Sequence, residues 1–373
     1  MNKQSPTKPQ IHVFTGCGGV GKTTLSAAWA LKFAQKQHRV ALITIDPAKR
    51  LAQSLGLDSL SPTLQETNIH PNLWAMMLDQ ETTSHRLVNI YAKTPEHSQR
   101  ILKNRYFKVF SSALAGVQEM MAIHEVHEAI HSCLYDVIIL DTPPAQHTLD
   151  LLQVPQRLQR ALDSKALAWV LKDSNETLKG SRKLRNKLSD IGKNFALKAF
   201  TKMTSSIFLE DLIDFLKLFH EVLNQIKVHG LSLEQTLKDN QTHFWLVTSP
   251  ETAPLRAAQA LSSDLESKGF SINGWFLNRM PTLYQNLKNK DDLDLLLASA
   301  KTYFDILGND QHELIGKLLS TLHEEGERVL DAQTTLNDYQ KNYPLTFLPS
   351  LSSRLAPVEI VRILAHQLEE KSI

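Results

Sequence analysis

Short apolar runs alternate with amphipathic stretches along this chain, a pattern that predicts parallel strands joined by helices. The run from Ile11 to Gly16 leads into LSAAWALKFAQK, where Leu25, Ala28, Trp29 and Phe33 recur at helical spacing. HRVALITID ends in Asp46, LWAMMLD spans Leu73 to Asp79, and YDVIILDTPP runs from Tyr135 to two halting prolines. None of these runs alternates with polar residues, as expected of strands covered on both faces. HFWLVTSPE (His243 to Glu251) and SINGWFLNRM (Ser271 to Met280) restore the strand pattern, with an amphipathic helix at residues 254–267 between them. PLTFLPSL and a final helix from Pro357 follow.

Between the strands lie long helical stretches. Residues 82–132 are helical and polar with a break at Pro95, residues 150–240 carry almost no strand signal, and residues 291–339 are helical again. Within the middle stretch, Lys179 to Lys202 is basic with only Asp190 opposing, and Ile207 to Ile226 places Phe208, Leu212, Phe215, Leu216, Phe219 and Leu223 on one broad apolar face. The reading is an α/β fold, a mostly parallel sheet with an inserted helical subdomain. Residues 10–80, 134–155, 241–282 and 343–373 form the core, and residues 81–133, 156–240 and 283–342 the helical insertions. No internal repeat or low-complexity tail is visible.

Composition narrows the classes. With 41 basic against 39 acidic residues in 373, nothing global points to nucleic acid, so any basic partner surface must be local. Cys17 and Cys133 are the only cysteines, too few for a disulfide framework or a thiolate cluster, and this usage suits a cytoplasmic protein. The polar opening MNKQSPTKPQ reads as neither signal peptide nor anchor, and no apolar run approaches a membrane span.

The chemistry concentrates at GCGGVGKTT. Gly16, Gly21, Lys22 and Thr23 satisfy G-x-x-x-x-G-K-[ST] between a strand and a helix, the context that pattern requires. Glycines at 16, 18, 19 and 21 let successive N–H groups curl around a phosphate. Gly18, Gly19, Val20, Gly21, Lys22, Thr23 and Thr24 are therefore the expected nucleotide phosphate contacts. Thr23, with Asp141 at the end of the DTPP strand, is positioned for Mg²⁺. Asp46 at a neighbouring strand end would prepare the attacking water, with a plain helix cap as its alternative role. Lys22 would neutralise charge at the transferred phosphoryl group. Asn278 at the end of GWFLN is placed to contact an adenine edge, and the FLPSL loop around Pro349 to form a second wall.

Two motifs look like decoys. Asn289-Lys290-Asp291-Asp292 matches a guanine-reading signature, but no apolar strand precedes it. His127-Glu128-Ala129-Ile130-His131 fits H-E-x-x-H, with His124 one turn earlier. Three imidazoles so close on one helix cannot all bind one ion well, so the expectation is a solvated face. His147 is expected to support the loop after Asp141.

GCGGVGKTT, DPAKRLAQSLGL, ILDTPPAQHTLDLL, VTSPE and FLNR together resemble the ArsA-like ATPases, the anion-transporting and tail-anchored-protein-targeting family, most closely its bacterial single-domain type. That resemblance implies a P-loop NTPase of the deviant Walker A class, switch segments at Asp46 and at Asp141 to His147, ATP and Mg²⁺ as ligands, and an ATP-dependent homodimer. It further implies a cytoplasmic client-targeting or chaperone-like ATPase holding an apolar protein client or membrane-protein segment. A nucleotide switch of the MinD/ParA kind, controlling a protein partner or membrane surface, is the alternative. Two departures stand out. Cys17 occupies the position where the family pattern G-K-G-G-x-G-K-T has its signature lysine, and the cysteines used elsewhere in the family for zinc dimerisation or metalloid binding are missing. Lys49 and Arg50 are the nearest cations that could substitute for the lysine, and the basic stretch 179–202 is the candidate contact surface.

Overall fold

The apolar runs assemble into one sheet. Its strands are β1 (Gln10–Gly16), β2 (Val40–Thr44), β3 (Gln65–Glu66), β4 (Leu73–Met77), β5 (Val137–Asp141), β6 (Thr242–Thr248), β7 (Ile272–Met280) and β8 (Leu345–Pro349). Their order is β3-β4-β2-β5-β1-β6-β7-β8, and every pairing is parallel except the antiparallel β3–β4. The computed structural model describes residues 8–45, 50–107, 117–164, 206–306, 312–340, 342–352 and 354–371. The expected mostly parallel α/β sheet is what forms. The short edge strand β3 is an addition, since two polar residues carry no periodicity to read.

The chain divides into two units, residues 1–77, 129–149 and 236–373, and residues 78–128 and 150–235. In the first, helix α1 (Lys22–Gln35) lies against the sheet on a core of aromatic rings. Trp29 meets Phe14 edge-on with ring centres 5.9 Å apart, and Trp245 at 4.9 Å. Phe276 and Phe14 stack at 6.1 Å. Burying Trp29, 1% exposed, removes roughly 200 Å² from water and contributes on the order of 5 kcal/mol before entropy. A short helix, α2 (Arg50–Ser54), adds Leu51 and Ala52 to this core.

The second unit is helical. Helix α3 (Gln80–Tyr91) starts at Asp79, whose carboxylate accepts from the Thr82 N–H at 2.8 Å. Helix α4 (Pro95–Leu102) starts at Thr94, whose hydroxyl accepts from His97, with Pro95 in the first turn where its missing N–H costs nothing. Parts of α5 (Val117–His131), α6 (Ala145–Leu162) and α7 (Ser206–Leu237) complete the unit. Phe107, Met121, Phe215, Phe219, Val222 and Ile226 share its core. Gly230 of α7 lies under the Pro155 ring of α6, where a Cβ would come within 2.9 Å of that ring.

The solvated face expected for the histidine-rich helix is corrected in part. His124 and Glu125 of α5 are 1% and 5% exposed, because the apolar positions Met121, Ala122, Ile123 and Val126 turn that stretch of helix inward. Glu128 and His131 do face solvent.

After Ser267, which ends α8 (Thr252–Ser267), the chain returns through β7 to α9 (Lys290–Ile306) and α10 (His312–Gln340), both in the first unit, and ends in α11 (Pro357–Glu370), packed on α1. The guanine-signature residues serve as the start of α9. The Asn289 side chain accepts from the Asp292 N–H, and the Asp292 carboxylate accepts from the Lys288 N–H, each at 2.9 Å.

Candidate nucleotide site

Parallel strands carry their C-terminal ends to one edge of the sheet, where ligands sit in open α/β folds. β5 lies between β2 and β1, in register so that Asp141 faces Phe14 on one side and Thr44 on the other. The glycine loop leaves β1 at Gly16, the described part of the β2 segment ends at Ile45, and Asp141 ends β5. Asp141 is fully buried, and one of its carboxylate oxygens accepts from the Thr44 hydroxyl at 3.0 Å.

The loop itself requires its glycines. Gly16 has φ +152°, and a Cβ there would run into the Val247 carbonyl of β6. Gly21, at φ +92°, caps α1 in the left-handed region, and a Cβ there would strike the Asn278 amide. Lys22, 7% exposed, folds back so that its Nζ donates to the Cys17 carbonyl at 2.9 Å. The start of α1 has no side-chain cap, and Thr23 and Thr24 are half-buried in its first turn. Left-handed glycines, a lysine curled over the loop and an uncapped helix start are the elements of an anion cradle. The residues present therefore suit a nucleotide triphosphate, and the Thr23 hydroxyl in the first turn of α1 and the Asp141 carboxylate at the end of β5 are oxygen donors of the kind a hard cation takes.

This geometry agrees with what the chain resembles. Residues 10–325 match the family model described as anion-transporting ATPase. The chain belongs to the anion-transporting ATPase family. Among individual relatives, "ATPase ASNA1 homolog" of Cryptosporidium parvum is 28% identical over 267 residues, 71% of this chain and 63% of that protein. "ATPase ASNA1 homolog" of Dictyostelium discoideum is 34% identical over 40% of this chain and 42% of that protein. "ATPase GET3" of Mycosarcoma maydis is 32% identical over 39% and 42%. The chain thus spans less than two thirds of the length of the relatives it matches.

Other expected residues of this family site fall in different places. Asp46 and Lys49 lie outside the described residues, while Arg50 is exposed at the start of α2. Asn278 is buried, and its amide donates to the Val20 carbonyl at 2.8 Å, so it braces the glycine loop from the end of β7. Pro349 ends β8 beside Met280, whose carbonyl accepts from the Ser350 N–H at 2.7 Å. Cys17 is half-buried, its thiol 3.9 Å from the Pro254 carbonyl. Burial pushes that thiol up from its ordinary value, with the Lys22 charge pulling the other way. It is neutral at physiological pH. The His147 side chain is exposed in the first turn of α6, and its backbone N–H donates to the Pro144 carbonyl at 2.8 Å.

One group went unread in the sequence. The hydroxyls of Thr15, Thr142 and Thr148 join at 3.0 and 2.9 Å, and Thr142 also donates to the Phe14 carbonyl at 2.9 Å. This buried chain ties the end of β1 to the segment after Asp141. Its only sequence signal is the pair of threonines in DTPPAQHT.

Proposed function

We propose that this chain is a Mg²⁺-dependent ATP hydrolase whose core comprises residues 10–80, 134–155, 241–282 and 343–373. The observation that carries the proposal is the Gly16–Thr24 loop, with Lys22 closed over it, beside a buried strand-end carboxylate in a member of the anion-transporting ATPase family. Backbone N–H groups from Gly18 to Thr24 bind the phosphates, and Lys22 exchanges the Cys17 carbonyl for a phosphate oxygen. Thr23 and Asp141 would hold Mg²⁺, which supplies charge neutralisation at the phosphoryl oxygens. Asp46 orients the water and accepts its proton. The hydroxyl chain of Thr15, Thr142 and Thr148 is the route by which the glycine loop and the segment after Asp141 stay coupled.

The family resemblance supports a cytoplasmic homodimer that rearranges with nucleotide state and handles an apolar client segment. Among the described residues, no helix is long and apolar enough to cross a membrane. The experiment separates binding from chemistry. Asp46→Asn should bind ATP as the parent does and turn over at least about tenfold more slowly. Parental turnover in that variant would remove Asp46 from the mechanism.

A further inference from the structure

The helical unit holds a second concentration of chemistry that the nucleotide site does not use. His124 and Glu128 stand four residues apart on one face of α5, and His229 of α7 approaches them, so that one ligand atom from each lies within 4.8 Å of the others. Tyr91, the last residue of α3, gathers the two imidazoles: its hydroxyl is 2.6 Å from Nδ1 of His124 and 2.7 Å from Nδ1 of His229. Nε2 of His124 is buried and has no hydrogen-bond partner, an exception among buried polar atoms that asks for an explanation. His127 stacks on His229 with ring centres 4.0 Å apart and planes 12° from parallel.

We propose that His124, Glu128 and His229 bind one divalent transition-metal cation, zinc in character. Two imidazoles and a carboxylate are a borderline N₂O donor set, which suits Zn²⁺ and disfavours Mg²⁺ or Ca²⁺. If both Nδ1–H groups donate to the Tyr91 oxygen, each histidine presents a lone pair on Nε2, and Tyr91 becomes the outer-sphere group that fixes tautomer and ring orientation. Zinc–ligand bonds of roughly 2.0–2.2 Å require the three ligand atoms to draw closer than their present separations of up to 4.8 Å. The Glu128 side chain, 55% exposed, provides the entry side.

This set differs from the H-E-x-x-H pair. His131, its second histidine, is exposed and not part of the group, and the third position is filled from α7, 101 residues beyond Glu128 in the chain. A cation here would clip α5 to α7 within the helical unit, with α3 held through Tyr91.

The test uses the full chain with no affinity tag, stripped by chelator and dialysed. Zinc is titrated in competition with a chromogenic chelator, and Co²⁺ is added separately to read coordination from its visible absorption. The expected result is one zinc per chain, a tetrahedral Co²⁺ spectrum, and loss of at least about tenfold in affinity in Glu128→Gln and His229→Asn. Tyr91→Phe should weaken binding by a similar factor, and His131→Gln should leave it unchanged. Glu128 is exposed, so its variant keeps the test decisive if His229→Asn fails to fold, as judged by melting in chelator. No zinc uptake by the parent, or parental affinity in Glu128→Gln, would overturn the proposal. Loss in His131→Gln with retention in Glu128→Gln would overturn it too.

Discussion

Asn278→Ala tests whether the glycine loop is held open for phosphate from the neighbouring strand. The parent amide donates to the Val20 carbonyl at 2.8 Å from a side chain only 7% exposed, and it packs against Gly21. Truncation leaves a buried carbonyl without its donor, at about 1–3 kcal/mol. If that energy is spent on the phosphate-ready loop, ATP affinity should fall by roughly 5- to 150-fold, since 1.4 kcal/mol is a factor of ten. A bracing role and an adenine-reading role make different predictions. A brace acts on the loop, so ATP, GTP and inorganic tripolyphosphate should weaken in parallel, whereas a base reader would leave tripolyphosphate untouched. Calorimetric titration of all three ligands into parent and variant, with the melting temperature of each, gives the answer. ATP binding within twofold of the parent would refute the brace, and a loss confined to ATP would transfer Asn278 to the adenine.

Three further outcomes follow from the same packing. Lys32 is 2% exposed with its Nζ 4.3 Å from the Trp29 ring centre, and burial, helped by Lys36 and opposed by Glu369, lowers its pKa to about 8. The folded chain therefore pays to keep it charged below pH 8, and the penalty fades between pH 8 and about 10.5, where the unfolded chain alone still holds the proton. Lys32→Met should stabilise by about 1–3 kcal/mol at pH 7, after allowance for the lost ring contact, with the gain shrinking towards pH 10.5 in denaturant titrations. Gly16→Ala forces a Cβ onto the Val247 carbonyl and should lower the melting temperature by several degrees or prevent folding; an unchanged melt would contradict the close approach. Cys17→Lys restores the lysine that the family pattern places here and supplies a charge that a neutral thiol cannot, so ATP turnover, measured by phosphate release, should rise and ATP-dependent self-association in sedimentation should strengthen; no change in either would show that the missing lysine does not limit this chain.

The sheet was legible because β1, β2, β5, β6 and β7 are largely buried on both faces, so each reads as a mainly apolar run without strict alternation. The phosphate loop was legible for a different reason: its residues are consecutive, and their left-handed dihedrals demand glycine. What escaped reading depends on partners distant in sequence. Asn278 could be assigned to a strand end but not to Val20, 258 residues away, and nothing in α5 announces that His229 will approach His124. The buried side of the histidine-rich helix was missed because imidazole and carboxylate resemble a solvated face until Tyr91 and Arg86 are seen to partner them. Asn289 shows the reverse case, in which a four-residue match to a base-reading signature is explained by an ordinary helix cap.

The central claim, that the glycine loop and Lys22 bind and help hydrolyse ATP, is met most directly by single-turnover phosphate release from the full chain with Mg²⁺, compared with Lys22→Ala. Mg²⁺-dependent release is expected in the parent, and loss of both tight ATP binding and release in the variant with an unchanged melt. Release at the parental rate from Lys22→Ala, or no ATP binding by the parent, would contradict it.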